Sequence, residues 1–311
     1  MTTTHPELTA KATAFAALHT PASPLALANA WDVASARIVE AAGAPAVATT
    51  SAGVAWSLGS PDGDALARDR ALDLVARVAA AVSVPVTADI EGGFGSDPAG
   101  VAQTLAGVLG GGAGGVNNQG RPRDPPHPRA RLAAAPAGVA ETVAGVLAAG
   151  AVGVNIEDGH RSPADHAERL AAARSAADAA GVPLYVNARI DTYLFGLGDP
   201  ATRLDETLTR AAAYLRAGAT GVFVPGVTDP ATVAELAKGI DAPLNVLAGP
   251  DAPGVAEFGA LGVSRVSLGS WVAEAAYAVV RRATEELLSG GTYGTLSEAL
   301  PYGELNGLLK G

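Results

Sequence analysis

Four short stretches carry most of the chemistry in this chain. "SLGSPDGD" (Ser57–Asp64) brings Asp62, "ADIEGGFG" (Ala88–Gly95) brings Asp89 and Glu91, and "NIEDG" (Asn155–Gly159) brings Glu157 and Asp158. "NARIDTY" (Asn187–Tyr193) brings Arg189. Acids converging from separate segments repel one another unless a cation lies between them, and oxygen donors without Cys or His suit Mg²⁺ or Mn²⁺. Mg²⁺ takes only one or two carboxylates directly and keeps its waters, so the other acids would act through water. Asp89 and Glu91 are two apart in an extended run and so face the same way. The competing assignment is a set of solvated loop acids. Arg189 ends an apolar run, and its planar fork suits a carboxylate; an ion pair with Asp191 or a rim acid is the alternative. Ser51, Ala52 and Gly53 offer a hydroxyl and consecutive N–H groups to an anionic oxygen, or form an ordinary turn.

Other residues carry weaker signals. Trp31 is either a pocket wall or a core side chain, and Asn245 either faces the same opening or satisfies a core partner. His160 and His166 read as exposed residues at a helix start. There is no cysteine, which excludes disulfides, thiolate metal sites and thiol nucleophiles. No GxSxG motif supports a Ser–His–Asp triad.

These residues need elements to hold them. Short β-rich runs alternate with longer runs of helical period. Strands are expected at Leu25–Ala30, Ala46–Thr50, Pro85–Ile90, Val152–Glu157, Leu184–Arg189, Gly221–Val224, Leu244–Ala248 and Arg265–Gly269. Helices are expected at Ala65–Ala81, Pro163–Ala180 and Ala201–Ala217, among others. Several helices run into a Gly placed for a left-handed C-cap, as in "EAAGAP", "DAAGVP", "RAGATG" and "AALGVS". Strands separated by helices pair in parallel. Eight such units predict an α/β fold, a closed (β/α)8 TIM-type barrel. A doubly wound sheet would show a glycine-rich fingerprint after its first strand, where "NAWDVASAR" stands instead. In such a barrel the C-terminal strand ends carry function, and the acids and Arg189 fall there.

The chain contains an internal repeat. "PAGVAQTLAGVLGGGAGGVN" (Pro98–Asn117) matches "PAGVAETVAGVLAAGAVGVN" (Pro136–Asn155) at most positions. An eight-stranded barrel has no place for a ninth strand. The first copy is glycine-dense, lacks the acids and runs into "GRPRDPPHPRAR", so Ser96–Ala135 is expected to be a peripheral insertion duplicating Pro136–Ala173. A second assignment keeps Pro98–Leu109 in the barrel and loops out Gly110–Ala148. Both give the strand ending in Glu157 to the second copy. The rest is expected to form one barrel domain over residues 1–311, with a helical tail from Ser270 to Gly311.

The formal charge is −10, which argues against nucleic acid or an anionic membrane as partner. "MTTTHPELTA" lacks the pattern of a secretory leader, and no apolar run is long enough to span a membrane, so a cytoplasmic protein is expected.

Taken together, "NAWDVASARIVEAAGAPAVATTSAGVAWSLGSPDGD", "PVTADIEGGFG", "GVNIEDG", "NARIDTY" and the closing "GTYGTLSEALPYGELNGLL" resemble the isocitrate lyase/phosphoenolpyruvate mutase superfamily. That resemblance implies a Mg²⁺ site, 2-oxo acid substrates or acids cleaved to give them, and Lewis-acid stabilisation of an enolate. By motif, Asp89 matches the principal metal acid, with Glu91 as its partner. Glu157 and Asp62 match further acids of the site, and Arg189 matches the substrate arginine. Ser51, Ala52 and Gly53 match the backbone cradle for the substrate carboxylate, and Trp31 the pocket wall. The resemblance also implies a homo-oligomer, a dimer or tetramer with exchanged C-terminal helices. Lyase members carry "K-[KR]-C-G-H" after strand four, whereas this chain has "GHRSPADHAERL". Either the reaction needs no such acid, or His160 or Arg161 replaces it. The expected function is a Mg²⁺-dependent carbon–carbon lyase or decarboxylase acting on a small 2-oxo or 2-hydroxy (di)carboxylic acid. The alternatives are P–C bond chemistry of the mutase or phosphonopyruvate hydrolase type, and a 2-oxo acid binding protein with impaired catalysis.

Overall fold

The computed structural model describes residues 5–94 and 136–310. Its nine strands form one parallel sheet in the order β1-β9-β8-β7-β6-β5-β4-β3-β2. They are β1 (Leu25–Leu27), β2 (Asn29–Ala30), β3 (Val47–Thr49), β4 (Val86–Asp89) and β5 (Gly153–Glu157), followed by β6 (Tyr185–Arg189), β7 (Gly221–Val224), β8 (Leu244–Leu247) and β9 (Arg265–Ser267). The strand expected over Leu25–Ala30 is divided at Ala28. Its first piece pairs with β9, Leu27 opposite Ser267, and its second with β3, Ala30 opposite Thr49. One chain segment therefore hands over from one neighbour to the other and closes the ring, so nine pieces make an eight-position barrel.

The strands are short and buried on both faces, as a sheet inside a helical ring must be. Val154, Ile156, Val186, Val222 and Val246 are fully buried and carry the strand-to-helix contact. The predicted C-cap glycines Gly43, Gly181, Gly218 and Gly262 all hold positive φ, between +67° and +105°. Each reverses the chain into the next strand without a Cβ penalty.

Helices outside the βα units flank the barrel at both ends of the chain. The helix His5–Ala17 buries Leu8, Ala12 and Phe15 along one stripe. Phe15 packs edge-on to Tyr185, with ring centroids 5.5 Å apart, and a Cβ on Gly153 would meet its ring at 2.9 Å. This floor was not expected from the sequence, which reads as regular only from Leu25. At the other end of the chain, the helix Trp271–Gly290 buries only Ala273. A short turn, Gly294–Leu296, leads to the helix Tyr302–Leu309, which packs on Val33–Ala41, and Arg37 Nε donates to Leu308 O at 2.7 Å.

The helix Pro136–Ala148 of the second repeat copy lies in the ring between Arg68–Ala81 and Pro163–Ala179 and leads directly into β5. It occupies the position that the second assignment reserves for Pro98–Leu109. The expected insertion Ser96–Ala135 lies outside the described residues. No helix among the described residues is long and apolar enough to cross a membrane.

Candidate active site

A cavity of about 460 Å³ opens at the C-terminal ends of the strands. Asp62, Asp89, Glu157 and Arg189 all line it, as do Ser51 and Ala52. Residues from well-separated segments therefore meet as the strand-end argument requires.

Asp89 is the hub. It ends β4, and its Oδ2 accepts from Ser51 Oγ at 3.1 Å and from Ser51 N at 3.4 Å. Its own N–H donates to Thr49 Oγ1 at 3.0 Å, which fixes the strand end. Ser51 opens the short helix Ser51–Ser57, and Thr50 supplies no side-chain cap. The first N–H groups of a helix lack intrahelical acceptors, so these amides remain directed at the cavity. Gly53 and Trp31 stand behind this helix rather than along the cavity. A Cβ on Gly53 would lie 2.8 Å from Trp31 Cβ, so the glycine lets the helix start sit against Trp31.

Glu91 turns away from the cavity lining and accepts from the Asp64 backbone N–H. Asp64, Glu91 and Phe94 all hold left-handed backbone, with φ of +59°, +51° and +48°. Non-glycine residues adopt this region at a cost of about 1–3 kcal/mol each, which elsewhere marks functional loops. The acid loop after β3 and the acid loop after β4 are thus locked to each other.

Glu157 ends β5 opposite Arg189 on β6, and the two form an ion pair. Arg189 also donates through Nε and Nη2 to Asp191 at 2.8 and 3.1 Å. The ion pair weighed as the alternative for Arg189 is therefore present, while Nη1 stays outside these contacts. Asp158 points away from the cavity. It accepts from Arg210 Nη1 at 2.9 Å, from Tyr214 Oη at 2.8 Å and from the Asp191 N–H at 2.9 Å. This buried network holds the β5 and β6 ends in register beneath the site.

The acids of the cavity are crowded and poorly solvated, and their carboxyls are shifted accordingly. Burial pushes the Glu157 carboxyl up to about 7; the Arg189 charge opposes this, and Asp191, Asp89 and Asp64 reinforce it. Glu91 is pushed up to about 9 by burial, then by Asp64 and Asp62. Asp62 faces solvent at the cavity mouth, yet protein crowds one side of it. Its carboxyl is raised by partial loss of solvation and next by Asp89, against the pull of Arg189. Among the described residues no three Asp, Glu, His or Cys side chains form a ready-made metal cage. Mg²⁺ does not need one, since one or two carboxylates and retained waters suffice. Asp89, with Asp62 and Glu157 across the same cavity, fits that donor set.

One expectation is overturned, and further residues are placed. His166 is not exposed: it lies fully buried on the inner face of Pro163–Ala179, edge-on to Tyr214, and burial with four nearby arginines holds its pKa well below the usual range. The stripe His166, Leu170, Ala173, Ala177 is the helical face that packs on the barrel. His160 is exposed and stacks on the cavity-wall residue Phe195 at 5.0 Å. Arg161 packs against Gly92 and donates to the carbonyl of Glu157 at 3.1 Å. Asn245 lies below the cavity lining and is almost fully buried, with Oδ1 accepting from Ser267 Oγ at 3.2 Å. The sequence reading overlooked Asn155 and Asn187, which are hydrogen-bonded to each other at 3.0 Å, and Arg265 on β9. The signal was there: each asparagine sits two residues before a charged strand end and so shares its inward face.

Comparison with known proteins bears on this geometry. A family profile described as phosphoenolpyruvate phosphomutase matches residues 15–124 and 132–288. An uncharacterised protein of Mycobacterium tuberculosis (strain H37Rv) is 32% identical over 292 residues, 94% of each chain. A lyase/mutase-type protein of Burkholderia cenocepacia J2315, known by crystal structure, is 36% identical with a TM-score of 0.77, covering 96% of this chain and 95% of that one. More distant structures share the fold. They include phosphonopyruvate hydrolase in complex with oxalate and Mg²⁺ (23% identity, TM-score 0.71, 96% and 94% covered). Oxaloacetate acetylhydrolase with its product oxalate is another (20%, 0.74, 97% and 94% covered), as is 2,3-dimethylmalate lyase (23%, 0.73, 96% and 94% covered).

Proposed function

Because this chain belongs to the phosphoenolpyruvate phosphomutase family, within the isocitrate lyase/phosphoenolpyruvate mutase superfamily, we propose that it is a Mg²⁺-dependent (or Mn²⁺-dependent) enzyme cleaving a carbon–carbon bond in a small 2-oxo or 2-hydroxy (di)carboxylic acid. The observation that carries this reading is the meeting of Asp89, the Ser51 helix start and Arg189 in one cavity. The oxalate and Mg²⁺ bound by phosphonopyruvate hydrolase support it, since oxalate has the shape of a 2-oxo acid head.

Each residue has a role in this proposal. Asp89 would hold the cation, with Glu91, Glu157 and Asp62 assisting through water. When bound, the cation would supply Lewis-acid stabilisation of enolate charge. The amides of Ser51–Gly53 and the Arg189 guanidinium hold the substrate carboxylate, where a helix start and a guanidinium both favour negative charge. Arg161 Nη1 donates to the Glu157 carbonyl, and a guanidinium is a poor proton donor, so His160, at the rim beside Phe195, is the candidate to deliver the proton that a leaving carbanion needs.

A second reading is P–C bond chemistry, supported by the lyase/mutase-type relative at 36% identity. Incubation with Mg²⁺ and a panel of oxaloacetate, alkylmalates, isocitrates and phosphonopyruvate separates the two. Cleavage of a carbon acid supports the first reading, and turnover of phosphonopyruvate alone supports the second. Absence of turnover, with Mg²⁺-dependent thermal stabilisation by 2-oxo acids, would identify a binding protein instead.

A further inference from the structure

One group lining the cavity is used by none of the proposed chemistry. Arg265 on β9 lines the cavity yet is only 3% exposed. Its Nε donates to Ser267 Oγ at 3.1 Å, and its Nη1 is buried without any hydrogen-bond partner. No carboxylate among the described residues forms an ion pair with it.

The neighbouring hydrogen bonds follow from valence. Arginine can only donate, so Ser267 Oγ accepts from Nε and sends its own proton to Asn245 Oδ1 at 3.2 Å. That orients the Asn245 amide and leaves its Nδ2 buried and unpartnered. Asn245 and Arg265 are direct neighbours across β8 and β9. Two donors, one of them charged, thus stand side by side without an acceptor. The acid side of the cavity has the opposite imbalance. Leaving a buried donor unsatisfied is costly, and more so when it is charged. An anionic oxygen supplied by a ligand removes that cost, and it would form a charge-assisted bond in a low-dielectric site.

We propose that Arg265 is a specificity-determining residue that binds a second carboxylate of the substrate, so that the cavity selects 2-oxo dicarboxylates over monocarboxylates. This rests on the 2-oxo acid reading above. The 2-oxo acid head sits at Asp89 and Ser51, and the distal carboxylate reaches Arg265 Nη1, while Asn245 beneath the lining holds Ser267 and, through it, the guanidinium. Arg189 is the poorer reader of that group, because Asp191 and Glu157 already occupy Nε and Nη2.

Two ligands with the same four-carbon chain isolate the distal group: oxaloacetate and 2-oxobutanoate. Calorimetric titration in Mg²⁺ is expected to show wild-type protein binding oxaloacetate at least tenfold more tightly. Arg265→Gln is expected to bring the ratio of the two affinities close to one. Arg265→Lys, which keeps the charge, is expected to retain part of the preference. Equal affinities in the wild-type protein overturn the proposal without any variant, and this outcome stands even if Arg265→Gln fails to fold. A folded Arg265→Gln with an undiminished ratio overturns it as well. If wild-type protein binds neither these acids nor oxalate in Mg²⁺, the underlying 2-oxo acid reading fails and takes this proposal with it. If oxalate binds while the ratio is one, only Arg265 has been misassigned.

Discussion

Gly53→Ala places one methyl group where three carbons already stand. A Cβ there would lie 2.8 Å from Thr50 Cγ2, 2.8 Å from Trp31 Cβ and 3.2 Å from Ala273 Cβ. Carbon atoms rest at about 3.5–4.0 Å, so the helix Ser51–Ser57 must retreat by roughly 0.7–1 Å. None of the three obstacles is the end of a flexible chain: two are Cβ atoms fixed to backbone, and threonine is stiff at χ1. Overpacking of this kind costs about 1–3 kcal/mol, a fall in Tm of ~2–6 °C. The larger effect falls on the site. Ser51 N and Oγ reach Asp89 Oδ2 at 3.4 and 3.1 Å, and a shift of that size removes both bonds and tilts the amide cradle. Misplacement by 1 Å lowers turnover on the order of 10²-fold. The assay is paired: thermal unfolding, and oxalate affinity in Mg²⁺. Gly303→Ala is the control, because a Cβ there meets nothing within 4 Å. Gly53→Ala is expected to lose at least tenfold in affinity for a modest loss of Tm, and the control to lose none. A folded Gly53→Ala protein with wild-type affinity would refute the claim that Trp31 and Gly53 set the cradle from behind.

Other expectations follow from the same contacts. Tyr214→Phe removes the hydroxyl that donates to buried Asp158 at 2.8 Å and is expected to cost about 1.5–3 kcal/mol in urea unfolding. An unchanged midpoint would show that Arg210 alone satisfies that carboxylate. Without a cation, stability is expected to fall as pH rises from about 6.5 to 9. Glu157 and Glu91 titrate near 7 and 9 in the fold and near 4.5 unfolded, so the native state binds more protons across this window. Between about 4.5 and 6.5 the slope is expected to flatten, because His19 and His166 are neutral in the fold and charge on unfolding, which offsets the two carboxyls. A flat Tm between pH 6.5 and 9 would contradict the crowding of acids. His160→Ala is expected to lower kcat about 10²–10⁴-fold with little change in KM or Tm; wild-type kcat would remove His160 from the chemistry.

The barrel was legible because its signals are local. Each strand is a short apolar run, and four helices run into a glycine, Gly43, Gly181, Gly218 or Gly262, that proved to hold positive φ. The acids that line the cavity were legible because Asp89 and Glu157 stand at strand ends. What escaped the sequence depends on distant partners. Arg189 and Asp191 are two residues apart, but only the fold shows their hydrogen bonds and the Glu157 ion pair across β5 and β6. His166 read as a loop-proximal polar residue, because helical phase shows a face and not what lies against it. Arg265 was hidden in "RVSLG" as an ordinary strand residue, and its missing partner is a property of the closed barrel. The floor helix His5–Ala17 has no strand pattern to announce it, and its role follows from Phe15 meeting Tyr185 and Gly153.

The account depends most on Asp89 as the anchor of a cation that in turn holds the ligand. Calorimetric titration of oxalate into wild-type protein and Asp89→Asn, each with and without Mg²⁺, addresses that directly. Asparagine keeps the shape and can still accept from Ser51, so the fold is expected to survive. The account predicts oxalate binding in wild-type protein only with Mg²⁺, and its loss in Asp89→Asn under both conditions. Equal oxalate affinity in the two proteins, or in the presence and absence of Mg²⁺, would contradict it.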